Sequence, residues 1–323
     1  MRLLPFAAVL IHALAWTAAG ASTPFPNKPV TLVVGYPAGG TTDIVARRWG
    51  EELARKLGQP VLVENVAGAG GALAARRVAR APADGYTLLV GSVNELVLTP
   101  LALKTPNYKS SDFRAVMLTY ASPVVLLSNN QRPYKSIADI VGAGRKGQQI
   151  SYGTPGRGTF HNVVLHLLAQ RNGIEMLHIP YKGGAPFVTD AIGGQIDLIV
   201  SPVVSALPII NAGQLRPIAI TSAARSEALP QVPTFSESMP ALQGFDYTVW
   251  AGIFAPAGTP APVIDRLNGA LREAYQTEAL QAFVRTSGAS IPSAGLDPWS
   301  AQRFVEAEER KYRAIVPQLK LED

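Results

Sequence analysis

Val30-Thr-Leu-Val-Val-Gly-Tyr-Pro-Ala-Gly-Gly-Thr-Thr-Asp43 runs directly into Ile44-Val45-Ala46-Arg47-Arg48. A short β-branched apolar run, ended by Tyr-Pro-Ala-Gly-Gly and followed by polar residues able to cap a helix, predicts a buried strand, a tight loop and a helix. Such a loop leaves backbone amides unpaired at the positive end of the helix dipole. That makes an anion site without a charged side chain, and the glycines let a ligand approach the main chain. An ordinary strand-to-helix corner of an α/β domain reads the same way, so the rest of the chain must separate the two.

At 323 residues and 47% hydrophobic side chains, the chain can bury two cores of ordinary domain size. Residues 1–21 carry Arg2 and no acid, a mostly apolar run from Leu3 to Trp16, and Ala19-Gly20-Ala21 before Ser22. This pattern predicts a cleaved secretory signal peptide, too short and wrongly flanked for a membrane span, and hence a periplasmic location. The formal charge of +6 is modest, and no dense basic tract with interleaved aromatics occurs, so nucleic acid is not an expected partner. A mildly cationic surface favours anionic solutes instead. With no cysteine, disulfide frameworks, thiol catalysis and thiolate metal sites are excluded.

Periodicity predicts a helix over 43–57, stopped by Gly58, a strand over 60–65, and a helix opened by Gly68-Ala69-Gly70-Gly71. A dinucleotide fingerprint would need glycine at position 73, where Leu stands, so these glycines read as close helix-to-strand packing. A third strand over 87–91 leads into Ser92-Val93-Asn94-Glu95. Three strand-helix units imply a parallel sheet with helices on both faces, and ligands bind where loops such as 36–43 and 92–95 converge at the strand ends. Two apolar runs, 115–120 and 124–128, broken by Ser122-Pro123, read as a crossover to a second α/β unit. That unit has a strand over 150–152, a glycine loop from Gly153 to Thr159, a helix over 160–171, strands over 176–180 and 196–201, and helices between them. Leu215 to Thr221 reads as the return crossover. A strand over 247–254 and helices over 261–275 and 298–316 follow. Two connections between two lobes are what a hinge requires.

Enzyme signatures are missing: there is no G-x-S-x-G, no P-loop ending in Gly-Lys-Ser/Thr and no H-E-x-x-H. His161 and His166 are five apart, off the i,i+4 ladder of a helical metal site. Asp43 could serve as a general base, but beside Thr41 and Thr42 it suits a helix cap better.

Many short motifs in one order resemble the tripartite tricarboxylate transporter solute receptors, the Bug or TctC-type family. They include Pro37-x-Gly39-Gly40-x-x-Asp43, Glu64-Asn65-x-x-Gly68-Ala69-Gly70-Gly71, and Asp84-Gly85-Tyr86-Thr87-Leu88. Gly156-x-Gly158-Thr159, Pro180-Tyr181-Lys182-Gly183 and Ala255-Pro256-x-Gly258-Thr259-Pro260 continue the match over essentially the whole mature chain. The resemblance implies a two-lobed α/β periplasmic-binding-protein (Venus flytrap) fold, each lobe a mainly parallel sheet flanked by helices. Residues 22–122 and 226–323 would form lobe 1 and residues 123–225 lobe 2. It also implies capture of a small organic carboxylate (a mono- or dicarboxylate, an aromatic acid or an amino acid) and delivery to membrane permease subunits. The expected protein is a monomer without cofactor or catalytic activity.

In the family, the loop matching Tyr36 to Asp43 holds a carboxylate through backbone amides and ordered water, and the second-lobe glycine loop closes over it. The resemblance therefore marks Tyr36, Ala38, Gly39, Gly40, Thr41 and Asp43, with Ser92 and Asn94, as the first wall. Thr154, Arg157, Gly158, Thr159 and Ser201 form the second. Four positions depart from the family pattern. Asn162 and His166 stand where His and Glu are common, Arg157 replaces a small polar residue, and Glu95 stands where Thr or Ser is usual. A guanidinium at Arg157 could read a second acidic group on the ligand. The other functional reading is an α/β hydrolase or transferase using Asp43 as base.

Overall fold

The computed structural model describes residues 24–102, 106–181, 183–286 and 289–319. The predicted signal peptide, and Lys182 of the predicted loop 181–184, lie outside the described residues. The chain opens with β1 (Val30–Val34), α1 (Thr41–Leu57), β2 (Val61–Asn65), α2 (Ala72–Ala79), β3 (Thr87–Ser92) and α3 (Thr99–Ala102). A 17-residue strand, β4 (Phe113–Asn129), carries it onward. There follow α4 (Ile137–Arg145), β5 (Ser151–Thr154), α5 (Phe160–Asn172), β6 (Leu177–Pro180), α6 (Gly184–Ile192), β7 (Leu198–Pro202), α7 (Val203–Asn211) and β8 (Leu215–Ile220). The return consists of α8 (Phe235–Ser238), β9 (Thr248–Pro256), α9 (Ala261–Tyr275), α10 (Glu278–Thr286) and α11 (Pro298–Arg313).

β1 pairs in parallel with β2 and β3, and β5 pairs in parallel with β6 and β7, as strand-helix-strand units require. The long strands make each sheet mixed. β9 runs antiparallel to both β3 and the first part of β4, and β7 and β8 run antiparallel to the last part of β4. The partner of β4 changes between Pro123, opposite Thr248, and Val124, opposite Pro202. The two apolar runs read as a broken crossover are thus one continuous strand shared by two sheets. Leu215 to Ile220 is also not a free connection, because it is laddered to β4 in the second sheet; the chain returns after it.

Apolar alternation explains the burial. Leu32 and Val34 face α1 and α9 with Trp49, Leu53, Leu267 and Leu271, while Val33 and Leu89 face α2 and the turn after β3. The latter core continues into the second half through Phe160, Val164 and Leu198, so one face of the junction is packed with side chains. Trp250 is fully buried there and satisfies its indole N–H on Glu308 of α11 at 3.0 Å. No helix among the described residues is long and apolar enough to cross a membrane.

Thr221, fully buried, pins the return. Its hydroxyl donates to the Tyr247 carbonyl at 2.6 Å and accepts from the Val124 amide at 3.2 Å, where β4 changes sheets. Thr221→Val keeps the shape and removes the hydroxyl, leaving buried backbone groups unpaired. A loss of about 1–3 kcal/mol in urea unfolding, at unchanged slope, is expected. An unaltered midpoint would show that the hydroxyl does not hold the junction.

Candidate functional site

The loop after β1 ends on Gly40, the extended residue that caps α1, and Pro37 to Gly40 are exposed. Gly39 has φ +83°, a left-handed conformation that costs glycine little. Its N–H donates to Asp43 Oδ2 at 2.9 Å. The same oxygen accepts from Arg47 Nε at 3.0 Å, and Oδ1 accepts from Asn65 Nδ2 at 2.9 Å. Asn65 also donates to the Tyr36 carbonyl at 3.0 Å, tying the end of β2 to the loop.

The second glycine loop is built the same way. Gly158, at φ +68°, precedes the extended cap Thr159 of α5, and its N–H donates to Asn162 Oδ1 at 3.1 Å. In both loops a side chain at the third helical position turns back to a left-handed glycine four residues earlier. The acceptor is a carboxylate in the first loop and an amide in the second, and Asn162 spends its Nδ2 on the Tyr152 hydroxyl at 3.0 Å.

Away from the return segment, two hydrogen bonds near the glycine loops link the first half to the second. Asn94 Oδ1 accepts the Phe160 N–H at 2.8 Å, and Thr41 Oγ1 and Ser205 Oγ on α7 are 3.0 Å apart. Asn94 also donates to the Tyr36 hydroxyl at 2.9 Å, and its own N–H donates to Ser92 Oγ at 3.2 Å. Gly158 sits so close to α3 that a Cβ there would lie 2.9 Å from that of Ala102. The loops are therefore in contact across the junction.

Inside the second loop, Thr154 Oγ1 lies 2.9 Å from the Gly156 carbonyl and 2.7 Å from His178 Nε2, and Thr159 Oγ1 donates to the same carbonyl at 2.8 Å. His178 stacks on Tyr152. Burial, with the Arg157 and His166 charges adding, lowers the His178 pKa to about 4, so the imidazole is neutral at physiological pH. Arg157 itself is exposed and has neither hydrogen bond nor ion pair among the described residues. Ser201, at the end of β7, is buried and has no side-chain hydrogen bond among them.

Asp43 is not the helix cap; Gly40 is. Burial alone would raise its pKa, but hydrogen bonds from Arg47, the Gly39 amide and Asn65 outweigh that and hold it below the usual carboxylate range. Both oxygens are occupied and no nucleophile adjoins them, so the base reading of Asp43 finds no support. The Gly39 amide is likewise taken by Asp43, and the Gly40 amide points at the Pro37 carbonyl at 3.4 Å. In the first helical turn the N–H groups of Thr41, Thr42 and Asp43 find no acceptor among the described residues. The amides left open at this loop are thus those of the first helical turn. Asn65, Asn162 and Ser205 were not singled out as site residues in the sequence. The spacing Gly-x-x-x-Asp/Asn, present at 39–43 and 158–162, was the available signal for Asn162; nothing local marked Ser205.

Among the described residues no group of three or more His, Asp or Glu could hold a metal ion. A hollow of about 300 Å³ between α1 and α10, beside Arg48, Glu51 and Phe283, shares no residue with either loop.

Comparison with known proteins agrees with this architecture. A family model described as the tripartite tricarboxylate transporter family receptor matches residues 45–321. BugT of Bordetella pertussis is 31% identical over 98% of this chain and 96% of its own, and an Agrobacterium vitis protein is 36% identical over 96% and 90%. Among solved structures, the periplasmic binding protein BugD superposes with a TM-score of 0.84 at 31% identity, covering 92% of this chain and 99% of its own. MatC of Rhodopseudomonas palustris, solved with bound malate, gives 0.84 at 31% over 90% and 100%. A second R. palustris protein, solved with adipate, gives 0.85 at 31% over 91% and 98%.

The clamp on the first loop predicts a pH signature. Because the Asp43 pKa is lowered on folding, its contribution is fully present above the unfolded value of about 3.9 and is lost as pH falls through the folded one. Asp43→Ala strands the Gly39 amide and Asn65 and should cost about 1–3 kcal/mol at neutral pH. Asp43→Asn should cost less, and its deficit relative to wild type should vanish in acid. A deficit independent of pH, in urea titrations across that range, would mean that the ionised carboxylate is not what holds the loop.

Proposed function

This chain belongs to the tripartite tricarboxylate transporter receptor family, and from that premise we propose that it captures a small organic carboxylate between two lobes in the periplasm. The captured ligand is handed to the membrane permease subunits of such a transporter, and the protein acts as a monomer without catalysing a reaction. The lobes are residues 22–122 with 226–323, and 123–225. The change of partner along β4 between Pro123 and Val124 supports the first boundary. The ladder from β8 to β4 puts the return beyond Ile220, which is compatible with the second.

The observation that carries this reading is the pair of matching glycine loops that meet at Asn94 and Phe160, one of them with unpaired first-turn amides. A neutral nest suits a solute that must later be released, since it avoids the desolvation cost of a buried ion pair. Malate in MatC and adipate in the second R. palustris protein support a carboxylate as the class of ligand. Opening would break the Asn94–Phe160 and Thr41–Ser205 bonds, so ligand contacts must make up the closed state's share of stability.

A thermal-shift screen of malate, adipate and other carboxylic acids tests the proposal. A ligand at about one hundred times its dissociation constant should add roughly 2.7 kcal/mol of stability and be recovered unchanged. No shift, together with consumption of an added compound, would overturn it. Arg157 separates ligand classes within it: its guanidinium is free to take a second carboxylate. Arg157→Ala should weaken dicarboxylate binding by about 1.5–3 kcal/mol and leave monocarboxylates nearly unchanged. Equal, small losses for both would leave Arg157 as a solubilising loop residue.

A further inference from the structure

Behind the first loop lies a carboxyl group to which neither the loop geometry nor the ligand contacts assign a role. Glu95 has no solvent exposure and sits in the π-helical turn Asn94–Leu98 that begins just after β3. Its Oε2 accepts the Ser92 N–H at 2.7 Å and lies 2.5 Å from Ser92 Oγ. Its Oε1 is buried with no hydrogen-bond partner. Two glycines shape the slot around that oxygen. A Cβ at Gly71 would overlap Oε1 outright, and one at Gly35 would stand 3.2 Å from it. Gly71 also has φ +89°, so the close approach and the backbone conformation both call for glycine.

The surroundings supply no counter-charge. No ion pair among the described residues includes Glu95. The loop after β1 brings the Tyr36 phenol, which favours the carboxylate but by less than burial opposes it, and the segment before β4 brings Tyr108, whose hydroxyl donates to the Glu95 main-chain carbonyl at 2.9 Å. Arg76 on α2 acts on Tyr108. The buried face of α11, packed on this turn, consists of Ala301, Val305 and Tyr312. An ionised Glu95 would be a buried, unpaired charge with one oxygen bare, whereas the acid form leaves only one unpartnered hydroxyl, a much smaller cost.

We infer that Glu95 is kept as a neutral carboxylic acid at neutral pH and acts as a positioning residue for the bond between the lobes, so that its neutral form favours closure on an anion. The chain of contacts is continuous: Glu95 holds Ser92, Ser92 Oγ accepts the Asn94 amide, and Asn94 Oδ1 accepts the first amide of α5. Burial pushes the Glu95 pKa upward, in the same sense. The neutrality of Glu95 stands independently of the carboxylate-capture reading; only its coupling to ligand rests on that reading. An ionised Glu95 would put an unpaired negative charge behind the loop that meets the anion, so affinity for an anion should fall as pH rises through the Glu95 pKa.

Infrared spectra of the unliganded protein test the first part. The wild type should show the carbonyl stretch of a protonated carboxyl at neutral pH, absent in Glu95→Gln and lost only above the ordinary glutamate range. Identical spectra in the two proteins would overturn the inference. If Glu95→Gln does not fold, wild-type protein carrying carboxyl-labelled glutamate decides by NMR. One glutamate with an acid-form shift at neutral pH is the expected result, and none overturns it. With malate and adipate as probes, wild-type affinity should fall as pH rises while Glu95→Gln, neutral throughout, binds with a flat profile. Equal pH profiles in both proteins would overturn the coupling. If neither probe nor any other carboxylate binds either protein, it is the capture reading that fails, and the spectra still decide the state of Glu95.

Discussion

The Phe160 amide, at the start of α5, needs an acceptor that its own helix cannot supply, and Asn94 from the other half supplies it. This one bond makes the two glycine loops a single site. It fixes where α5 begins relative to β3, and it requires that Asn94 be held still. Asn94 is held through its own amide on Ser92 and its side-chain nitrogen on Tyr36, and both partners belong to the carboxyl ends of the first sheet's strands. The bond is neutral and exposed to competition from water whenever the loops separate. Its net worth of about 1 kcal/mol is enough to bias the contact and too little to lock it.

The two loops share a backbone solution and differ in charge. Both place a left-handed glycine before the cap and return a side chain from the third helical position to its N–H. In the first loop that side chain is ionised and paired with Arg47, so the charge is spent inside the loop and leaves little field over the cleft. In the second it is an amide, and the nearby imidazole of His178 is neutral. The result is a site whose walls offer amides and hydroxyls, with Arg157 as the nearby exposed cation. A surface of this kind would hold a captured anion through dipoles and avoid the large desolvation penalty of a buried ion pair.

Much of this was legible in the sequence because it follows from local rules. The strand-loop-helix unit at 30–57, the second unit at 151–172 and the two-lobed architecture came from periodicity, glycine placement and motif order. Several features depended on partners distant in sequence. The strand pairing of Leu215–Ile220 depends on β4, which no local pattern around residue 215 reveals. The mixed character of the sheets comes from the same cause, since β9 pairs antiparallel with β3 and β4, both more than a hundred residues away in sequence. α10, at Glu278–Thr286, is not marked off in the sequence, because it follows α9 after only two residues. Ser205 joins the site only through the fold, 164 positions from its partner Thr41.

Glu95 shows how a departure from a family pattern can be read physically. A short hydroxyl side chain at this position would satisfy itself locally and leave the slot beside Gly71 open. A glutamate fills that slot, but only because positions 35 and 71 lack side chains, and it brings a proton with it. The π-helical turn Asn94–Leu98 carries this carboxyl. Within this turn the Glu95 carboxyl folds back onto Ser92, three residues earlier, while its carbonyl reaches the Tyr108 hydroxyl. The irregular helix, the glycine slot and the buried acid are thus one device. It lies on the same chain of contacts that orients Asn94, which is why a group with no exposure can still influence what happens in the cleft.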